Sequence, residues 1–369
     1  MKKLSLMLVL ALVISLFAGC AGTPVIYYTE CNCPEGGVVA EPAPAPQDTP
    51  VADAPVADAP AAEGALKTGL HIATGIGDSK AATADENGEG TYDVTMVAVL
   101  VDDEGIIRDC VIDGIKTSVL FDNTGAITTD LTAPVQTKNE LGENYGMVAW
   151  GGAIAEWDEQ AAALAAFAVG KTVEELKSGA IDETGKAPAG SDLASSATIY
   201  LGGYVSAIEA AVAKAQHLGA QSGDVLKLAS VNGVDSSVAA TAEKDGTAQL
   251  DCTVTAMTMN GDTITSCAID AVQAKVNFNT AGEITSDVTA PVQTKNELGE
   301  NYGMVAWGGA IAEWDAQAAS FAAYVTGKTA AEVAGIAVDE GTKPTDADLT
   351  ASVTIAIGGF QALIAKAAA

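Results

Sequence analysis

The chain has 369 residues, with 48 Asp or Glu against 18 Lys or Arg and a formal net charge of −30. So acidic a protein repels nucleic-acid phosphates and anionic leaflets, which argues against nucleic acid as a partner and against lying flat on a lipid surface, while leaving the fold open. Its length suffices for more than one domain with a real core.

Lys2 and Lys3 precede an apolar run from Leu4 to Phe17, and Ala18-Gly19-Cys20 follows. This is the pattern of a signal peptide over residues 1–20, too short for a spanning helix. The string Leu16-Phe17-Ala18-Gly19-Cys20 resembles a bacterial lipobox. That resemblance implies cleavage before Cys20, lipidation of Cys20 and a membrane lipid anchor; plain secretion is the alternative. Loss of Lys2 and Lys3 would take the formal charge from −30 to −32. Residues 21–65 are dominated by Pro, Ala, Asp and Glu, and are expected to be a disordered tether, because they offer too little apolar surface to offset ordering entropy. Cys31-Asn32-Cys33 lies in that stretch without a nearby His or further Cys to complete a metal site.

Thr132–Asp158 recurs without change as Thr289–Asp315, and looser matches flank both copies. A period this long indicates duplicated domains, here 66–218 and 219–369, rather than a solenoid. Each opens with strands. Tyr92–Val101 and Ile106–Ile112 flank a turn cluster, and Leu250–Met259 and Thr263–Ile269 flank Asn260-Gly261, a strong hairpin signal. A two-residue turn at Asn260-Gly261 would set Cys252 opposite Ile269 with Cys267 as a diagonal neighbour; a disulfide and two buried thiols both fit that register. Helices follow. From Trp150 or Gly152 to about Val169, the spacing puts Ile154, Trp157, Ala161, Leu164 and Phe167 on one face. Thr172-x-x-Glu175 and Thr329-x-x-Glu332 are capping boxes, and Gly203–Ala215 and Gly359–Ala368 read as Ala-rich amphipathic helices. The fold class expected is α+β, two homologous domains each with an antiparallel sheet and packed helices.

Several motifs dissolve on inspection. Gly-Lys-Thr lacks the upstream glycine of a phosphate loop, since Ala165 and Ala322 stand there. His71 and His217 are the chain's two histidines, so a histidine-based metal site is hard to build and no catalytic triad can be built once per repeat. The informative segment precedes each last helix: Asp192-Leu193-Ala194-Ser195-Ser196-Ala197-Thr198 and Asp348-Leu349-Thr350-Ala351-Ser352-Val353-Thr354. Small residues at a loop-to-helix junction let a bulky group approach, amides at a helix start favour an anion, and a threonine hydroxyl there can accept a phosphoryl group. An ordinary helix N-cap is the competing account.

The Asp-x-x-Ser-x-Ala-Thr string resembles the flavinylation motif of the FMN-binding domain family, which includes two-domain flavinylated lipoproteins of Gram-positive extracellular electron transfer. Gly90-Thr91-Tyr92 and Asp103-Glu104-Gly105-Ile106 are similar to that family's opening. Ser196 stands where the family has glycine, and Ala351, Ser352 and Val353 depart further. The resemblance implies covalent FMN, a phosphoester to Thr198 and Thr354 formed by a separate flavin transferase, with Asp192, Ser195, Asp348 and Ser352 as motif residues. In the identical block, Gln136, Lys138 and Tyr145, matched by Gln293, Lys295 and Tyr302, offer the polar and flat surfaces a flavin needs, as do Met147 and Trp150; Trp157 and Trp314 fall on the core face. The expected function is electron carriage between a membrane electron donor and an extracellular electron acceptor at the outer face of the cytoplasmic membrane, with no substrate reaction of its own. The alternatives are a solute- or polymer-binding lipoprotein without cofactor, and a structural surface spacer.

Overall fold

The computed structural model describes residues 64–369. The expected signal peptide, Cys20, Cys31 and Cys33 and all but the last two residues of the expected tether lie outside them. The described residues form a mixed α/β fold with two three-stranded antiparallel sheets. The first is β1 (Lys67–Gly75), β2 (Gly88–Val101) and β3 (Ile107–Phe121), and the second β4 (Val225–Gly233), β5 (Gly246–Asn260) and β6 (Thr263–Phe278). After β3 come α1 (Lys138–Leu141), α2 (Met147–Gly151), α3 (Trp157–Ala168), α4 (Val173–Ala180) and α5 (Gly202–Ala213). After β6 come α6 (Lys295–Leu298), α7 (Met304–Gly308), α8 (Trp314–Val325), α9 (Ala330–Ala334), α10 (Ala347–Thr350) and α11 (Gly358–Ala368).

Alternation along β2 explains the layering. Val94, Met96, Ala98 and Leu100 point to one face and Val97, Val99 and Val101 to the other, and all are buried. The first set meets Leu250, Cys252 and Val254 of β5, so the two sheets enclose one shared core. The second lies under Trp157, Leu164 and Ile208 of the helices. The second half repeats this outer layer with Met257, Ile264, Phe321 and Ile364. Phe121 and Phe278, at matching places in the repeat, stack across the shared core with ring centroids 3.9 Å apart and planes within 2°.

Two sequence expectations need correcting. The β5–β6 turn places Asn260 opposite Thr263, and an irregularity at Thr258/Met259 shifts the pairing again. Cys252 therefore faces Val272, and Cys267 faces Met257. Because strand faces alternate, Cys252 lies in the shared core and Cys267 in the outer one, so they cannot pair; both are free buried thiols, as is Cys110. Burial pushes Cys110 and Cys267 up to about 12 and raises Cys252 as well, which leaves all three unreactive. The helix expected from Trp150 or Gly152 begins at Trp157: Gly152 sits at φ 62 and ends α2, and Ile154 is exposed between the two helices. Both Thr-x-x-Glu capping boxes are present.

Candidate functional site

The first turn of α3 organises the surroundings of Thr198. Glu156 begins the helix; its own amide is capped by Glu159 at 3.0 Å, while its carboxylate turns back to accept from Met147 N at 2.8 Å and Val148 N at 3.0 Å, the open amides of α2. One turn on, Gln160 is fully buried. Its Nε2 donates to Ala155 O at 2.8 Å, and its Oε1 accepts from Thr198 N at 2.8 Å, Ile199 N at 3.2 Å and, at 3.4 Å, the Thr198 hydroxyl. The second half reproduces the arrangement: Gln317, also fully buried, donates to Ala312 O at 2.7 Å and accepts from Thr354 N at 2.8 Å and its hydroxyl at 3.2 Å. A buried side-chain amide thus fixes each threonine loop through the backbone as well as through the hydroxyl. Thr198 itself is exposed and Thr354 half-buried.

Neither threonine is a helix N-cap, nor does it stand at the helix mouth. α5 starts at Gly202 and α11 at Gly358, with Leu201 and Ile357 as their caps. Gly185 O accepts from Leu201 N and Gly202 N at 2.8 and 3.0 Å, and Thr342 O from Ile357 N at 2.8 Å. A neighbouring carbonyl therefore occupies amides that an anion at the helix start would use.

Asp192 and Asp348 are exposed. Ser195 Oγ donates to Asp192 O at 2.6 Å and Ser352 Oγ to Leu349 O at 3.4 Å, so both serines close local turns, while Leu193, Ala197, Leu349 and Val353 bury the underside of the loops. Lys138 is almost wholly buried, its ammonium 4.8 Å from the Trp157 ring centre, 5.5 Å from that of Tyr145 and 3.8 Å from Asp93 Oδ1. Burial, with Lys116 nearby, pulls its pKa below the ordinary lysine value against the attraction of Asp93 and Asp113. Lys295 sits 4.9 Å from the Tyr302 ring centre and 4.8 Å from that of Trp314. Both lysines are engaged by rings, and Trp157 and Trp314 are buried as expected. Tyr145 and Tyr302 are half-buried, with the Tyr302 hydroxyl donating to Gln273 Oε1 at 3.0 Å. Gln136 and Gln293 are exposed.

The structure thus gathers Lys138, Tyr145 and Trp157 with the Thr198 loop around the start of α3, and leaves Gln136 outside. Trp150 of α2 and Trp307 of α7 are each 90% exposed. Sequence reasoning missed Gln160, Gln317, Glu156 and Glu313. The available signal was position: both glutamates lie in the identical block, and both glutamines two residues beyond it. A separate cleft of about 630 Å³ lies between the halves, lined by Leu70, Lys214, Asp270, Glu297 and Asp315 among others, and includes neither threonine. Among the described residues no group of three or more His, Cys, Asp or Glu is placed to hold a metal ion, and no helix is long and apolar enough to cross a membrane. No family model, curated protein or solved structure matches the chain.

Proposed function

We propose that the protein is an extracellular electron carrier with FMN joined through a phosphoester to Thr198 and to Thr354, the second half being a duplicate of the first. The observation that carries this reading is the twice-built threonine loop. Thr198 is exposed and Thr354 half-buried, and a buried glutamine holds each backbone amide, so the loop stays in place when the hydroxyl proton is lost. The surroundings suit a nucleotide arm in part. Trp150 and Trp307 offer flat exposed surface close in sequence to the same helix start, whereas Lys138 and Lys295 are packed among rings and would act on a flavin through charge alone.

Attachment needs FAD and a flavin transferase. The threonine Oγ attacks the FMN phosphorus, the P–O bond to AMP breaks, AMP departs, and the hydroxyl proton goes to AMP or solvent. Bound isoalloxazine supplies the redox chemistry between a membrane donor and an external acceptor. The chain's own part is to present two cofactors on one compact body, and the anchor at Cys20 with its tether sets their reach.

A cofactor-free solute-binding lipoprotein is favoured by one observation, the 630 Å³ cleft between the halves. Coexpression with a flavin transferase separates the two readings. The electron-carrier reading expects a flavin-fluorescent band on a denaturing gel, dimmed by Thr198→Ala or Thr354→Ala and abolished by both together. A dark wild type beside a bright flavinylated control, or a double variant that still fluoresces, refutes it.

A further inference from the structure

The two threonine loops are held by the same glutamine contact but differ at a neighbouring pair of positions. Two residues after Thr198 stands Tyr200, 60% exposed despite its size. Its ring lies across two glycines: a Cβ at Gly185 would fall 2.2 Å from Cε2, and one at Gly202 would fall 2.6 Å from the hydroxyl oxygen. The ring is therefore positioned by backbone that admits no side chain, while more than half its surface stays open to solvent. In the second loop Ala356 takes the tyrosine's place, and Thr342 takes that of Gly185 at φ 59, a left-handed conformation that a β-branched residue rarely adopts. The Thr342 side chain covers Gly358, 3.0 Å from where a Cβ would be, much as Tyr200 covers Gly202. Glycine with tyrosine in one half is thus replaced by threonine with alanine in the other.

We infer that Tyr200 is a flavin-contacting residue of the first site with no counterpart in the second, so that the two sites hold the same cofactor in unequal surroundings. This rests on the flavin reading above. A preset, exposed aromatic ring two residues from the attachment point offers one face to an isoalloxazine, and offset stacking between such rings is favourable. A phenol in contact with a flavin also quenches its emission by donating an electron to the excited ring, so contact has a signature that neither loading nor folding mimics.

The test uses the full chain coexpressed with a flavin transferase, with flavin content fixed by intact mass. Thr354→Ala leaves the first site alone, and Thr198→Ala leaves the second. The first site should fluoresce less per flavin than the second. Tyr200→Ala should raise the first site to the level of the second, and Ala356→Tyr should lower the second. Tyr200 is exposed, so its removal leaves the fold standing. If both sites carry flavin and Tyr200→Ala leaves first-site emission unchanged, the inference falls and the flavin reading stands. If neither site carries flavin, both fall.

Discussion

Gln160 does for its loop what sequence alone would assign to no residue. It is a polar side chain on an Ala-rich helix, and its partners lie 38 and 39 residues away. Gln160→Leu would keep most of the volume but strand two partly buried amides and the Ala155 carbonyl. At roughly 1–3 kcal/mol for an unmet buried polar group, discounted for relaxation, the loss should be about 2–3 kcal/mol by denaturant titration, with first-site flavin falling and second-site flavin kept. Unchanged stability would mean that the glutamine does not hold the loop. Lys138 teaches the converse. In the sequence Lys138 reads as a polar group offered to a flavin, yet its four-carbon stem lets it fill a space between rings, and only packing reveals that.

Helices of one half are tied to the other. Lys366 of α11 reaches Glu140 of α1 at 2.5 Å, and Lys214, just past α5, reaches Glu297 of α6 at 2.8 Å. Each glutamate also closes the capping box of its own helix. Partial burial pushes the Glu140 pKa up, but Lys366 and the Thr137 amide outweigh it and hold the carboxyl below its ordinary value. A depressed carboxyl contributes fully above the unfolded value, here 4.5, and loses its contribution as pH falls through the folded value. Glu140→Gln should therefore cost about 0.2–1 kcal/mol near neutrality, typical of a partly exposed pair, and the gap to wild type should close on acidification. A gap constant with pH would remove the ion pair from the account. The β2–β3 and β5–β6 strand pairs, the capping boxes and the final helices were legible because period and cap chemistry are local, whereas β1 and β4 were not anticipated. The β5–β6 register was not, since the shifted turn and the irregularity at Thr258/Met259 leave no mark on composition. The start of α3 was misplaced because the apolar spacing ran on through Gly152 and Ile154, where the backbone turns instead.

At the scale of the molecule, the inner faces of both sheets close over one core, with Phe121 stacked on Phe278 within it, so neither half covers its own inner face. The repeat was plain in the identical block, but the shared core was not, because a strand buried on both faces reads the same whichever sheet covers it. This arrangement fixes Thr198 and Thr354 on a single body, and electron carriage requires both to be accessible there. The most direct measurement is mass spectrometry of the peptides containing Thr198 and Thr354, from protein isolated with its own flavin transferase. The account expects an FMN-phosphoester mass on the threonine of each peptide. Bare threonines in both, from a host that flavinylates other chains, would contradict it.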